Sequence, residues 1–466
     1  MKECLKSKGY DLYEDGCCAV KLAEQVLDRK YKKNIELSDL PIDPFYLLKD
    51  SGVIYSLLDF SKYEGFYLLP QELSDPEEKA MVGINKNRPI TRQRFTAAHE
   101  LCHHIKDEAS FYCDPSDSSD LIEKYADHFA TELLMPQNLL DQAIEKYEIV
   151  KDISEINYLN QILKISNLFG VSFQATLYRV NKKFKKINYQ DIMKVIRAFK
   201  PDSKKGELGL NNEYILYSQL ISSYVFDNWK PSIKTENDFK RMLISNDHRM
   251  ENGTLTVDEI SEIIAEIRLV GIESVKDNRK RAGIQLCDAD FEVLGQWEMY
   301  TKVFEMYGKT SLAEMLILHQ KFYSFVPYRE VGGTFRNSTA RITGKNVSTC
   351  EPREISMKIN ECLSEFDKYR IDNSLKNNFE ILNYLVKLHH DITVIHPFID
   401  GNGRTSRALL NKQLLFFGIP PFFIKADKKN LYNEFLETCD NKQEYESLFI
   451  FFVRNIIEVY SVTLGN

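Results

Sequence analysis

Two rhythms of apolar and polar residues divide this chain. In the first part, short mixed segments such as Gly52-Val53-Ile54-Tyr55-Ser56-Leu57-Leu58 and Ala80-Met81-Val82-Gly83-Ile84-Asn85 read as strands. They precede a helical stretch that carries His99. In the second part the spacing is mostly that of amphipathic helices. One exception is Val331 to Pro352, rich in Gly, Thr, Ser and β-branched residues, which suggests a hairpin. Between the two parts, Lys200-Pro201-Asp202-Ser203-Lys204-Lys205-Gly206 is polar and punctuated by Pro and Gly, and it reads as a loop. The pattern therefore predicts an α+β N-terminal domain over residues 1–187, a linker over 188–212 and a mainly α-helical C-terminal domain over 213–466. No internal repeat is visible.

A length of 466 residues fits two or three domains, and 43% hydrophobic residues suffice for buried cores. The net charge of −7, with both signs spread throughout, argues against a dedicated nucleic-acid binder. The basic cluster Lys182-Lys183-Phe184-Lys185-Lys186 reads as a solvated helix end. Nine scattered cysteines without a CxxC fit a reducing cytosol better than a disulfide framework. Met1-Lys2-Glu3-Cys4 opens no signal-peptide core, and the most apolar stretches, Leu414 to Ile424 and Leu448 to Val453, are too short to span a bilayer. The expectation is a cytoplasmic protein with no membrane partner.

The first chemical signature is His99-Glu100-Leu101-Cys102-His103. Histidines four apart share one face of a helix and can bind one metal ion. Glu100, about 100° round the axis, can reach a metal-bound water without ligating the metal, and so act as general base. A catalytic zinc site needs a third protein ligand. Glu123 is the obvious source, with Asp127 one turn on to orient a histidine. Arg92 to Leu101 together with Ala126 to Pro136 resembles the ImmA/IrrE metallopeptidases, with further matches at Leu40 to Pro44 and Phe169 to Ser172. The resemblance covers roughly residues 15–185. It implies Zn²⁺ on His99, His103 and Glu123, Glu100 as base, and a peptide or repressor-like substrate. Cys102 stands where the family often has Gly, and reads as a small buried residue. No helix-turn-helix accompanies the domain, so direct nucleic-acid binding is not expected.

The second signature is His396-Pro397-Phe398-Ile399-Asp400-Gly401-Asn402-Gly403-Arg404-Thr405-Ser406-Arg407. Gly401-Asn402-Gly403 permits a backbone anion nest, and a helix starting there would aim its dipole at the same anion. Arg404 and Arg407 suit phosphate oxygens, Asp400 suits Mg²⁺, and His396 can deprotonate a hydroxyl. The parts match phosphoryl-type transfer. The stretch resembles the HPFx[D/E]GNGRxxR motif of the Fic family without a mismatch. Ser311 to Phe322, the segment from Gly333 to Gly344 and Leu431-Tyr432-Asn433 resemble other parts of that family.

That resemblance implies transfer of AMP from ATP to a Ser, Thr or Tyr hydroxyl of a protein. His396 would be the base and Asp400 the Mg²⁺ ligand. Gly401, Asn402 and Gly403 would bind phosphate, Arg404 the departing pyrophosphate side and Arg407 the γ-phosphate. A β-hairpin flap near Thr339 to Thr349 would pair with the target, Phe398 would be core, and Tyr432 would either line the nucleotide pocket or pack. Several members self-associate, so a homodimer is one expected state.

Many members also carry an inhibitory helix with [S/T]xxxE[G/N], whose Glu pairs with the second motif arginine. Asp247-His248-Arg249-Met250-Glu251-Asn252 fits at Glu251 and Asn252 and places Asp247 where Ser or Thr is expected. Asp caps helices as Ser does, which would preserve the element. The leading reading is an adenylyltransferase fused to a regulatory zinc peptidase in bacterial stress, toxin or defence regulation, the last by analogy. The alternative is a Fic site that uses another phosphate donor or removes AMP, with an N-terminal domain that only senses or binds.

Overall fold

The computed structural model describes residues 18–32, 34–69, 79–106, 111–113, 121–226, 232–306, 308, 310–341, 349–371 and 377–464. The chain divides into two compact units, Met1–Val225 and Phe226–Asn466.

In the first unit, helices α1 (Cys18–Tyr31) and α2 (Pro44–Asp50) precede strands β1 (Ile54–Leu58), β2 (Gly65–Leu68) and β3 (Met81–Asn85). Helix α3 (Ile90–Lys106) and strand β4 (Phe111–Cys113) follow. The sheet order is β1-β3-β2-β4, with β1 parallel to β3 and the other pairs antiparallel. Helix α4 (Leu121–Leu134) packs against both α1 and α3. Then come α5 (Gln137–Lys146), α6 (Glu155–Phe169), α7 (Phe173–Phe184), α8 (Ile192–Phe199), α9 (Pro201–Glu207) and α10 (Glu213–Ser223). Helix α3 is central because it is small where it must be close. Ala97 and Ala98 are fully buried, and α3 packs on β2, β3 and α4.

The stretch read as a loop, Lys200 to Gly206, is instead largely helix α9. Pro201 sits at the first helical position, where a missing N–H costs nothing. The division also falls after α10 rather than at residue 212. A buried cation explains why α10 stays with the first unit. Arg94 on α3 is fully buried and donates to Gly170 O at 3.1 Å, to Ile42 O and to Gln219 on α10. Gln219 in turn donates to Pro41 O at 2.7 Å. Burial pushes the Arg94 guanidinium down to about 10, against the pull of Asp43.

The second unit contains α11 (Ile233–Met250), α12 (Val257–Val270), α13 (Ile272–Arg281), α14 (Asp288–Glu305) and α15 (Leu312–Phe322). It continues with α16 (Ile355–Ile371), α17 (Asn378–Ile395), α18 (Asn402–Phe416), α19 (Lys429–Lys442) and α20 (Glu446–Leu464). Local signals set several starts. Thr256 and Glu259 form a reciprocal capping box at α12, and Ser311 and Glu314 form one at α15. Helix α18 runs through the middle, against α14, α15 and α17. Two of its buried polar residues are well partnered. Lys412 donates to Gly308 O, Thr310 Oγ1 and Glu314 Oε2 at 2.6–3.0 Å, and Asn411 exchanges hydrogen bonds with the backbone of Phe422.

The expected hairpin is seen only in part, since residues 342–348 of the flap lie outside the described residues. Among the described residues of Val331 to Pro352 there is no strand ladder. Thr349 Oγ1 donates to Ala340 O at 2.6 Å and draws the two arms together. Among the described residues, no helix is long and apolar enough to cross a membrane.

Candidate functional sites

In the first unit, α3 and α4 bring His99, His103 and Glu123 together, with one ligand atom of each within 4.8 Å of the others. His99 Nε2 lies 3.1 Å from Glu123 Oε2 and 3.1 Å from His103 Nε2. His99 Nδ1 lies 3.0 Å from Asp127 Oδ1, so a proton on Nδ1 leaves Nε2 as the ligand atom. Glu100 is fully buried beside the cluster, and neither of its carboxylate oxygens has a hydrogen-bond partner. Burial pushes its carboxyl up to about 8, with His99 opposing and Glu123 adding to the rise. Two histidines, one carboxylate and an unpartnered buried glutamate fit a zinc ion that holds a water. Strand β2 leaves room for this by having glycine at position 65, where a Cβ would stand 2.8 Å from Glu100 Oε1. Cys102 is buried, His128 is exposed, and His104 lies 3.1 Å from the Tyr67 hydroxyl.

In the second unit the twelve-residue motif joins α17 to α18. His396 is the left-handed C-cap of α17, at φ 51°. Burial and Arg336 hold its imidazole below the usual histidine range, against a hydrogen bond to the backbone of Thr393. Gly401 is left-handed at φ 75°, and a Cβ there would meet the Tyr323 ring at 3.2 Å and His319 Nε2 at 3.3 Å. Helix α18 starts at the next residue, so its first N–H groups are free to face an anion. Phe398 is fully buried and stacks on the His319 ring with centroids 3.6 Å apart.

The Asn402 side chain bonds within the motif. Its Oδ1 accepts from Phe398 N at 2.8 Å and its Nδ2 donates to Phe398 O at 2.9 Å, which closes the loop on itself. Its side-chain amide is thus occupied within the loop, while its backbone N–H belongs to the first turn of α18. Arg404 donates to Glu292 Oε2 at 2.8 Å, lies 3.6 Å from Asp400 Oδ2 and covers the Phe322 ring. Arg407 is buried and pairs through Nη2 with Glu251 Oε1 at 3.1 Å and through Nε with Asp247 Oδ1 at 3.1 Å. Glu251 stands over the nest, since a Cβ on Gly403 would lie 3.3 Å from its Oε1. Asp247 does not cap a helix. It lies within α11, and Glu251 is the residue at the C-cap.

Several partners of these residues were not foreseen. The Tyr323 hydroxyl donates to Asp400 Oδ2 at 2.9 Å. Burial alone would raise the Asp400 carboxyl, but Arg404, the Gly401 amide and Tyr323 outweigh it and hold it below the usual range. Gly333 N donates to His319 Nδ1 at 2.8 Å, so His319 Nε2 carries the proton and donates to Asp400 O at 3.0 Å. Burial pushes His319 down to about 4, which keeps it neutral. Arg336 is buried and binds the carbonyls of His396, Ile395, Ser338 and Cys350, tying the flap arms to the motif. The only local sign of these roles is that Arg336 and His319 fall within the segments that resemble the Fic family. Tyr432 is buried, with its hydroxyl 2.6 Å from His389 Nε2 and hydrogen-bonded to the Arg407 side chain.

The sequence matches family models over both sites. Residues 53–181 match the IrrE N-terminal-like domain and residues 309–414 match the Fic/DOC family. The chain thus carries an IrrE-type peptidase-family domain followed by a Fic domain. Among curated proteins it is similar to the Protein adenylyltransferase Fic of Drosophila grimshawi, 32% identical over 191 residues (41% of this chain, 36% of that protein). The Drosophila mojavensis protein of the same name is 26% identical over 191 residues (41% of this chain, 35% of that protein). The chain spans about a third of the length of these relatives. Among solved structures it is similar to Fic-1 (residues 134–508) of C. elegans, with 12% identity and a TM-score of 0.40 over 70% of this chain and 92% of that one.

Proposed function

We propose that the C-terminal unit transfers AMP from ATP to a Ser, Thr or Tyr hydroxyl of a protein target. The observation that carries this reading is the convergence of His396, the start of α18, Arg404 and Arg407 on one loop. His396 is held neutral, so one ring nitrogen can accept the proton of an incoming hydroxyl. The hydroxyl oxygen bonds to the α-phosphorus, the bond to the β-phosphate oxygen breaks, and pyrophosphate leaves. The free amides at the start of α18 and the two guanidiniums hold the phosphate oxygens in line. Asp400 and the phosphates would hold Mg²⁺, which neutralises phosphate charge when bound. The relatives named adenylyltransferases support the same reading.

The N-terminal unit is read as a zinc-dependent peptidase acting on a regulatory protein. His99, His103 and Glu123 would hold the ion, which activates a water when bound. Asp127 orients His99, and Glu100 takes the proton of the attacking water and passes it to the leaving amine.

Incubation with α-labelled ATP, Mg²⁺ and cell lysate tests the first reading, with His396→Ala as control. Label on protein with the parent and none with the variant is expected. Mass spectrometry that finds a different phosphate-linked group, or loss of a pre-existing adenylate, would replace AMP transfer with another chemistry of the same site.

A further inference from the structure

Arg407 is gripped by two carboxylates that differ in how easily they can leave. Asp247 lies inside α11 and is 1% exposed. Its Oδ1 pairs with Arg407 Nε at 3.1 Å, while its Oδ2 accepts from Gln296 Nε2 on α14 at 2.8 Å. Glu251 sits at the end of the same helix with its side chain 40% exposed, beside Asn252 at φ 59°. The third guanidinium nitrogen, Nη1, faces the nest, because a Cβ on Gly403 would lie 3.1 Å from it. So Nε is ion-paired with Asp247, Nη1 lies beside Gly403 at the start of α18, and Nη2 is paired with Glu251.

The geometry points to Asp247 as a positioning residue: it holds Arg407 by Nε so that Nη1 and Nη2 form the fork that grips the terminal phosphate of a nucleoside triphosphate once Glu251 withdraws. The inference rests on reading the C-terminal site as a nucleotide site. Two physical arguments carry it. A buried guanidinium that loses its only counter-ion is strongly penalised, and Asp247 removes that penalty when Glu251 swings away. A fixed partner on Nε also leaves little rotamer freedom to lose when phosphate binds, which favours tight, oriented binding. The pattern this segment resembles places a hydroxyl at position 247, which could not supply the charge. Asp247 therefore separates two duties on one arginine: the buried carboxylate aligns it and the exposed one blocks it.

Calorimetry with ATP and with ADP on Glu251→Gly, Glu251→Gly/Asp247→Asn and Glu251→Gly/Asp247→Ser tests this. Melting curves on each protein confirm folding, and the asparagine variant keeps the volume and a partner for Gln296. The expected result is ATP affinity about tenfold weaker in both double variants than in Glu251→Gly, the scale of one charge-assisted contact. ADP, which lacks the phosphate that meets Arg407, is bound as in Glu251→Gly. An unchanged ratio of ATP to ADP affinity overturns the proposal and leaves Asp247 a packing residue. Tighter ATP binding in the double variants overturns it too, and makes Asp247 a competitor of phosphate. If Glu251→Gly itself binds no ATP, the nucleotide reading falls and the proposal with it.

Discussion

Glu251 and Arg407 meet at 3.1 Å across 156 residues of chain, with Glu251 Oε1 3.3 Å from where a Cβ on Gly403 would stand. An anion from the protein thus stands beside the start of α18, next to the proposed phosphate site. Burial alone would raise the Glu251 carboxyl, but Arg407 and Arg404 outweigh it and hold it below the usual range. It is therefore ionised at neutral pH, and the proposed block is one of charge. Glu251→Gly removes both the charge and the bulk. Self-labelling with radiolabelled ATP should rise about ten- to a hundredfold, the scale of one charge-assisted pair. A variant no more active than the parent would remove the brake from the account.

The pH dependence of transfer should report on His396. A base must be neutral to work, and this imidazole is held below its ordinary value of 6.5. Activity should therefore rise on the acid side of pH 6.5 and be flat from there through neutrality. His396→Ala should lower the rate by about 10²- to 10⁴-fold and abolish that limb. A rate profile of Glu251→Gly from pH 5 to 8 is the measurement. An acid limb centred above the ordinary value would assign the proton transfer to another group.

The two sites differ in how far the sequence reveals them, and distance along the chain is the reason. His99 and His103 are one helical turn apart, and Glu123 and Asp127 repeat that spacing on the next long helix, so the face they share can be read directly. The motif from His396 to Arg407 is local in the same way. Glu292, by contrast, meets Arg404 from 112 residues away and Tyr323 meets Asp400 from 77. No periodicity announces such pairs. Asp247 has the residue type of a cap, and only the packing of α11 against α14 turns it into a partner for Arg407 and Gln296. The boundary misled for a related reason. Pro201 and Gly206 look like loop punctuation but stand at opposite ends of α9, and the contact from Arg94 to Gln219 that keeps α10 in the first unit is long-range.

Metal content and hydrolysis should separate in the first unit. Glu100 touches neither imidazole as a ligand in the proposed scheme, so Glu100→Gln should retain about one zinc per chain by elemental analysis. Its peptide hydrolysis should fall by about 10²- to 10⁴-fold. His103→Ala should lose the metal itself. Chelation of the parent should lower its melting temperature, since an ion at a thousandfold over its dissociation constant contributes about 4 kcal/mol to the folded state. Full activity in Glu100→Gln would leave the domain a sensor with a structural metal.

Tyr323 offers the sharpest test of how Asp400 is aimed. The phenol donates to Oδ2 of the carboxylate at 2.9 Å, and Arg404 lies 3.6 Å from the same oxygen. With Oδ2 held, Oδ1 would be turned toward the proposed Mg²⁺. Tyr323→Phe keeps the ring against His319 and Phe322, so packing is preserved. It frees the carboxylate to turn toward Arg404. Partners of this kind change metal affinity by about 10- to 100-fold when removed. The Mg²⁺ concentration for half-maximal transfer should rise by that factor in Glu251→Gly/Tyr323→Phe, while the rate at saturating Mg²⁺ recovers most of its value. Electron paramagnetic resonance of Mn²⁺ in the presence of ATP gives the same affinity without turnover. A rate that stays low at every Mg²⁺ concentration, with Mn²⁺ binding intact, would make Tyr323 a participant in the transfer step instead.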